Sequence, residues 1–213
     1  MKATKDTSAP RTRNRRGQGG RLREDIVDAA VALLDETGDE RTITLRSIAR
    51  RVGIAAPSIY PHFSDQPSIM LAVVRRAFGE LEAALRTALE EAGEDPRARL
   101  YAVCHAYLDF SRVHPERYRT MFGGLWVPTL ADTAVTEEDL VALGDSNLRI
   151  LSGVLAACAE AGLSTSTDPG ADSYALWLGL HGLAHQRSVT RVFPGPDDIG
   201  ERMIPALARL RED

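Results

Sequence analysis

The chain has 213 residues, 44% hydrophobic and 26% charged, which is enough apolar material to bury a core in one domain or two small ones. Collagen-like, mini-protein and wholly disordered chains are excluded; no apolar run nears the ~18 to 20 residues of a bilayer span, and the Arg-rich start leads into no apolar signal block, so a cytoplasmic protein is expected. The net charge of −4 is unevenly spread: residues 1–66 carry 12 Lys and Arg against 9 Asp and Glu, net +3, and residues 67–213 carry 14 against 21, net −7.

Residues 1–20 combine Ser, Thr, Pro, Gly and Arg with little apolar content, and predict a disordered basic arm. Arg11, Arg13, Arg15, Arg16, Arg21 and Arg23 are closely spaced, a pattern that suits an anionic polymer at one end of the molecule or a plain solvated tail. From Leu22 the periodicity turns helical through Ile26, Ala30, Leu33 and Leu34 and stops at Gly38. Thr44 is an N-cap candidate for a short helix with Leu45, Ile48, Ala49 and Val52 on one stripe, ending at Gly53. A third helical segment is expected over Ala56 to Phe63, and Asp65 caps a long helix from Gln66 toward Ala92, where Pro67 is tolerated in the first turn. Helical stretches 96–113, 115–126, 137–161, 171–191 and 197–211 follow, separated by Pro and Gly signals. Strand-like alternation and fixed-period repeats are absent, so the expected fold class is all-α with about nine helices.

Thr44 to Phe63 carries the functional signal. Two short helices pack through a tight turn when the crossing residue is small, the turn tolerates positive φ, and apolar residues close the angle. Ala49, Gly53 and the set Ile48, Val52, Ile54 and Ile59 meet those demands, which defines a helix-turn-helix; the plain alternative is an ordinary αα-hairpin. Cys104 and Cys158 have no metal-ligand spacing and read as core residues.

These residues resemble a known family. Helix one followed by TLRSIARRVGIAAPSIYPHFSDQPSIMLAVV is similar to the DNA-binding domain of TetR-family transcriptional regulators, and Trp177, His181 and Gly182 in WLGLHGLA resemble the W…HG signature of a subgroup's C-terminal domain. The resemblance implies a three-helix helix-turn-helix domain over 21–66 and a larger helical effector-binding and dimerisation domain over 67–213. It places the recognition helix at Ala56 to His62, with Ala56, Pro57, Ser58 and Tyr60 toward the DNA, and implies Arg46 as a guanine reader. Tyr60, His62 and the Thr44 hydroxyl are implied phosphate contacts, which fix register without reading sequence. Three positions depart from the pattern: Ala55 lacks the usual N-cap hydroxyl, Gln66 replaces a basic residue, and Pro61 stands where an aromatic is common.

Recognition helices work in pairs on half-sites ~34 to 36 Å apart, so a homodimer on a double-stranded DNA operator is expected, with its interface on the last two helices. Tyr107, Phe110, Met121, Phe122, Leu125, Trp126, Trp177 and His181 have the composition of an effector pocket for a largely apolar small molecule, although such a cluster also reads as core. His181 and His185 are i, i+4 without a third ligand, so no metal and no cofactor are expected. The resulting expectation is a repressor, not an enzyme, released from its operator when a small molecule tilts the helix from Gln66 to Ala92, with Gly79 easing its bending. A ligand-independent architectural DNA binder and an all-helical enzyme stay open as other classes; no GxSxG, P-loop or HExxH motif supports the latter.

Overall fold

The computed structural model describes residues 19–124, 126, 128–189 and 195–212. Among them are nine α-helices and no strand: α1 Gly19–Thr37, α2 Leu45–Val52, α3 Gln66–Glu91, α4 Pro96–Val113, α5 Pro115–Phe122, α6 Glu137–Val141, α7 Asp145–Glu160, α8 Pro169–Val189 and α9 Ile199–Leu207. Three 3₁₀ turns, Glu40–Thr42, Ala56–Ser58 and Leu130–Asp132, and an isolated antiparallel bridge between Ser164 and Leu210 complete the described secondary structure. The chain divides into two compact units, Met1–Val73 and Val74–Asp213, whereas the sequence reading draws the line at Gln66/Pro67. Most of the expected basic arm lies outside the described residues; Arg21 and Arg23 stand within α1.

In the first unit α1 packs on α2, and α2 on the Ala56–Ser58 turn. Ile26, Ala30, Ile43, Ile48 and Ile59 are completely buried there. Asp65 caps α3, its Oδ1 accepting from the Ser68 backbone N–H at 2.8 Å.

The second unit is a helical bundle in which α4 packs on α5, α7 and α8, α7 on α8, and α8 on α9. Its core joins Leu81 and Leu85 of α3 to Leu100, Val103 and Cys104 of α4, Leu155 and Cys158 of α7, Leu176 and Leu180 of α8, and Ile204 of α9. Burial pushes the Cys104 thiol up to about 12, and the Cys158 thiol donates to the Pro96 carbonyl at 3.2 Å, so both act as small core residues. A Cβ on Gly179 would stand 2.6 Å from Leu207 Cδ1 and 2.9 Å from Met203 Sδ; the missing side chain lets α9 approach α8.

Two elements differ from the sequence reading. The segment Ala56 to His62, expected as an α-helix, is a 3₁₀ turn followed by further turns, with Ile59 N–H donating to Ala56 O and His62 N–H to Ile59 O. Pro61 has no N–H to give to Pro57 O and disfavours the α conformation at Tyr60, which holds the segment in tighter turns. The expected helix 137–161 is two helices, because Gly144 adopts φ +77° between them.

Candidate nucleic-acid interface and ligand cavity

An eight-residue helix is marginal in isolation, so the ends of α2 matter. Thr44 Oγ1 accepts from the Ser47 backbone N–H at 3.1 Å, and Ser47 Oγ accepts from the Thr44 N–H at 2.9 Å, a reciprocal capping box. At the other end Gly53, with φ +77°, donates to Ala49 O at 2.9 Å, and Ile54 N–H shares that carbonyl. Arg51 reaches back to Glu36 of α1 through two bonds of 2.7 and 2.6 Å, which hold the Glu36 carboxyl below its ordinary range. Arg23 lies over the Phe63 ring, 4.6 Å from its centroid, committing that arginine to the folded unit.

With Ile48, Ala49 and Ile59 turned inward, the polar side chains of α2 and the following turn are left outward. Thr44, Arg46, Pro57 and Ser58 are exposed, Tyr60 is 57% exposed, and Ala56 and His62 are half-buried. Arg46 makes no ion pair or hydrogen bond among the described residues. Arg50, one helical turn after Arg46, is exposed as well; the sequence reading passed over it, and the i, i+4 spacing is the signal that finds it. Exposed guanidinium groups beside an exposed, polar turn can meet phosphates and base edges together.

In the second unit a cavity of ≈ 290 Å³ is walled by Phe78, Leu81 and Leu85 of α3, Val103 and Tyr107 of α4, Phe122 of α5, the stretch from Val141 to Leu151, and Tyr174, Trp177 and Leu180 of α8. Of the predicted pocket residues, Tyr107, Phe122 and Trp177 line it. Phe110 is buried in the core, Met121 packs against that core, Trp126 is half-buried away from the lining, and Leu125 lies outside the described residues. The leucines, Asn147 and Tyr174 were not singled out from sequence, because the cavity forms only where six separate helices and a loop converge.

His181 stands beside the cavity wall in a polar knot. Its Nδ1 faces the Tyr118 hydroxyl at 2.8 Å and the Tyr107 hydroxyl at 3.3 Å, and its ring stacks on Trp177 with centroids 5.3 Å apart. Two hydroxyls directed at Nδ1 suit the neutral ring with its proton on Nε2. Desolvation, with the neighbouring His185 charge second, lowers the pKa of His181, and burial raises those of Tyr107 and Tyr118. Trp177 and His181 of the W…HG pattern therefore brace α8 against α4 and α5. Among the described residues no group of three or more His, Cys, Asp or Glu could hold a metal ion, and no helix is long and apolar enough to cross a membrane.

Comparison with known proteins places this geometry. Residues 26–73 match the model of bacterial regulatory proteins of the tetR family, and residues 100–207 match a tetracyclin repressor-like C-terminal domain. The HTH-type transcriptional regulator BetI of Burkholderia ambifaria is 30% identical over 110 residues, 52% of this chain and 56% of that protein. The chain thus spans about half the length of the curated relatives it matches. Among solved structures, a protein with unknown function from Rhodococcus sp. RHA1 superposes with a TM-score of 0.70 at 24% identity, over 92% of this chain and 95% of that one. A tetR-family regulatory protein from Rhodococcus RHA1 superposes with a TM-score of 0.60 at 20% identity, over 89% and 96% of the two chains.

Proposed function

The chain belongs to the TetR family of DNA-binding transcriptional regulators, and from that premise we propose that it is a repressor that leaves its operator when a small molecule fills the cavity of the second unit. The observation that carries the reading is a single chain holding both a helix-turn-helix with an exposed Arg46 that has no partner among the described residues and, in its other unit, a largely apolar cavity.

In this reading Arg46 reads a guanine edge, Ala56, Pro57 and Ser58 face the major groove, and the Tyr60 hydroxyl, His62 and Thr44 bond phosphates. Regulators of this family bind operator DNA and dimerise. For this chain the outer face of α8 supports a homodimer: Tyr174 and Leu178 are about half exposed, with Ala175 and Gly182 exposed beside them. The helix that gives Phe78, Leu81 and Leu85 to the cavity begins at Gln66, just after the recognition turn, so a ligand that favours one setting of α3 biases the DNA-binding unit. A coupling of ~1 to 3 kcal/mol changes operator affinity by roughly 5- to 150-fold.

The test is recovery of genomic DNA fragments bound by the purified protein, followed by sedimentation of the complex. Enrichment of a two-fold related site occupied by two chains supports the reading. Fragments without a shared sequence, bound equally in scrambled form, contradict it.

A further inference from the structure

The cavity's chemistry is more selective than its size. Among the described residues no Lys, Arg or His lines it. The one carboxylate among its described lining residues, Asp145, is more than half exposed and paired with Arg149 at 2.5 Å, which places that charge pair in solvent and not in the interior. A buried ligand carboxylate or phosphate would have no counter-charge, and an uncompensated buried charge is too costly to be bound tightly. A cation meets ring faces but no interior anion. The walls favour an uncharged ligand.

Polar atoms at the wall narrow the class further. The Tyr107 hydroxyl is already engaged with His181, and the Trp177 indole with Tyr107. Asn147 of α7 is different. It is 9% exposed, lines the cavity, and donates from Nδ2 to the Phe78 carbonyl at 3.2 Å, which fixes which end of the amide is which. Its Oδ1 is buried and has no hydrogen-bond partner among the described residues. A buried acceptor left unpaired is destabilising until a donor reaches it. The volume of ≈ 290 Å³ sits at the low end of small-molecule pockets.

We propose that the effector is a compact, uncharged, largely apolar compound carrying a hydroxyl or N–H group that donates to Asn147 Oδ1. The inference rests on the reading of this cavity as the effector site, and it names the chemistry that site accepts.

Calorimetric titration of the full chain with naphthalene, 2-naphthol and 2-naphthoate tests it, on the wild type, on Asn147→Leu, and on Leu151→Trp, which fills the cavity. The expected result is uptake of naphthalene and 2-naphthol, loss of both in Leu151→Trp, and no detectable binding of 2-naphthoate. The ratio of 2-naphthol to naphthalene affinity should fall about 2- to 12-fold in Asn147→Leu, the worth of one neutral hydrogen bond. Should Asn147→Leu fail to fold, Asn147→Ala takes its place, and the three-probe comparison on the wild type stands without either. Tight binding of 2-naphthoate, or an unchanged ratio in the folded variant, overturns the ligand class while leaving the site in place. If the wild type takes up none of the probes, the inference falls together with the site reading; uptake that Leu151→Trp does not diminish places the probes elsewhere and has the same consequence.

Discussion

Thr44 is assigned two duties, and they can be separated. Its Oγ1 accepts from the Ser47 N–H at 3.1 Å as half of a capping box on an eight-residue helix, and the same exposed hydroxyl is proposed to meet a DNA phosphate. Thr44→Ala removes the cap and costs about 1 kcal/mol of stability. Thr44→Asp keeps an acceptor at the helix start and gains from the helix dipole, so its stability should stay within about 0.5 kcal/mol of wild type. On DNA the carboxylate loses the hydroxyl's donated bond and opposes the phosphate charge. The lost charged hydrogen bond is worth about 1.5 to 3 kcal/mol, and the repulsion adds about 1 kcal/mol at contact distance in water. The order of the two variants therefore reverses between assays: in urea unfolding Thr44→Asp outlasts Thr44→Ala, and in fluorescence anisotropy with a recovered DNA fragment Thr44→Asp binds the weaker of the two. Wild-type stability in Thr44→Ala would refute the capping argument. Wild-type affinity in Thr44→Asp would refute the phosphate contact.

Further predictions concern the second unit. Gly144 sits at φ +77° with an ideal Cβ only 2.9 Å from Phe78 Cε1, so Gly144→Ala should destabilise by about 1 to 3 kcal/mol. Gly79, in mid-helix with open space around it, should respond oppositely, gaining about 0.5 to 1 kcal/mol as Ala; equal urea midpoints for the two variants would contradict both assignments. Because the folded pKa of His181 is depressed, the unfolded chain binds more protons between that value and the ordinary ~6.5. Stability contributed by neutral His181 is thus complete above ~6.5 and is lost as pH falls toward the depressed pKa; a His181→Gln variant should show a shallower acid slope in thermal unfolding, and an unchanged slope would refute this.

The first unit was largely legible because its signals are local. Thr44, Gly53 and Asp65 each occupy the cap or turn their residue types favour, and the apolar stripe of α2 settles which face is buried. Pro61 was legible too: a proline four residues after Pro57 cannot complete the helical bond that an Ala56 to His62 helix needs. The same holds for Gly144, which stood in plain view within a stretch read as continuous helix. The cavity is another matter. Aromatic type selected Tyr107, Phe122 and Trp177, which line the cavity, and equally Phe110, which is buried in the core. Helical periodicity says that a side chain is buried without saying against which neighbour, so Asn147 and the cavity's leucines emerge only when α3, α4, α7 and α8 are assembled.

The most direct measurement for the whole account is the affinity of wild type and Arg46→Ala for a recovered fragment and for a scrambled duplex of the same composition, at matched salt. Arg46 is exposed and makes no partner contact in the described protein, so its removal should leave folding intact. The predicted result is a fall in discrimination worth about 1 to 3 kcal/mol, roughly 5- to 150-fold, with scrambled DNA weakened far less. Equal losses on both duplexes, or discrimination that survives the substitution, would contradict the assignment of α2 and its following turn as the surface that reads the operator.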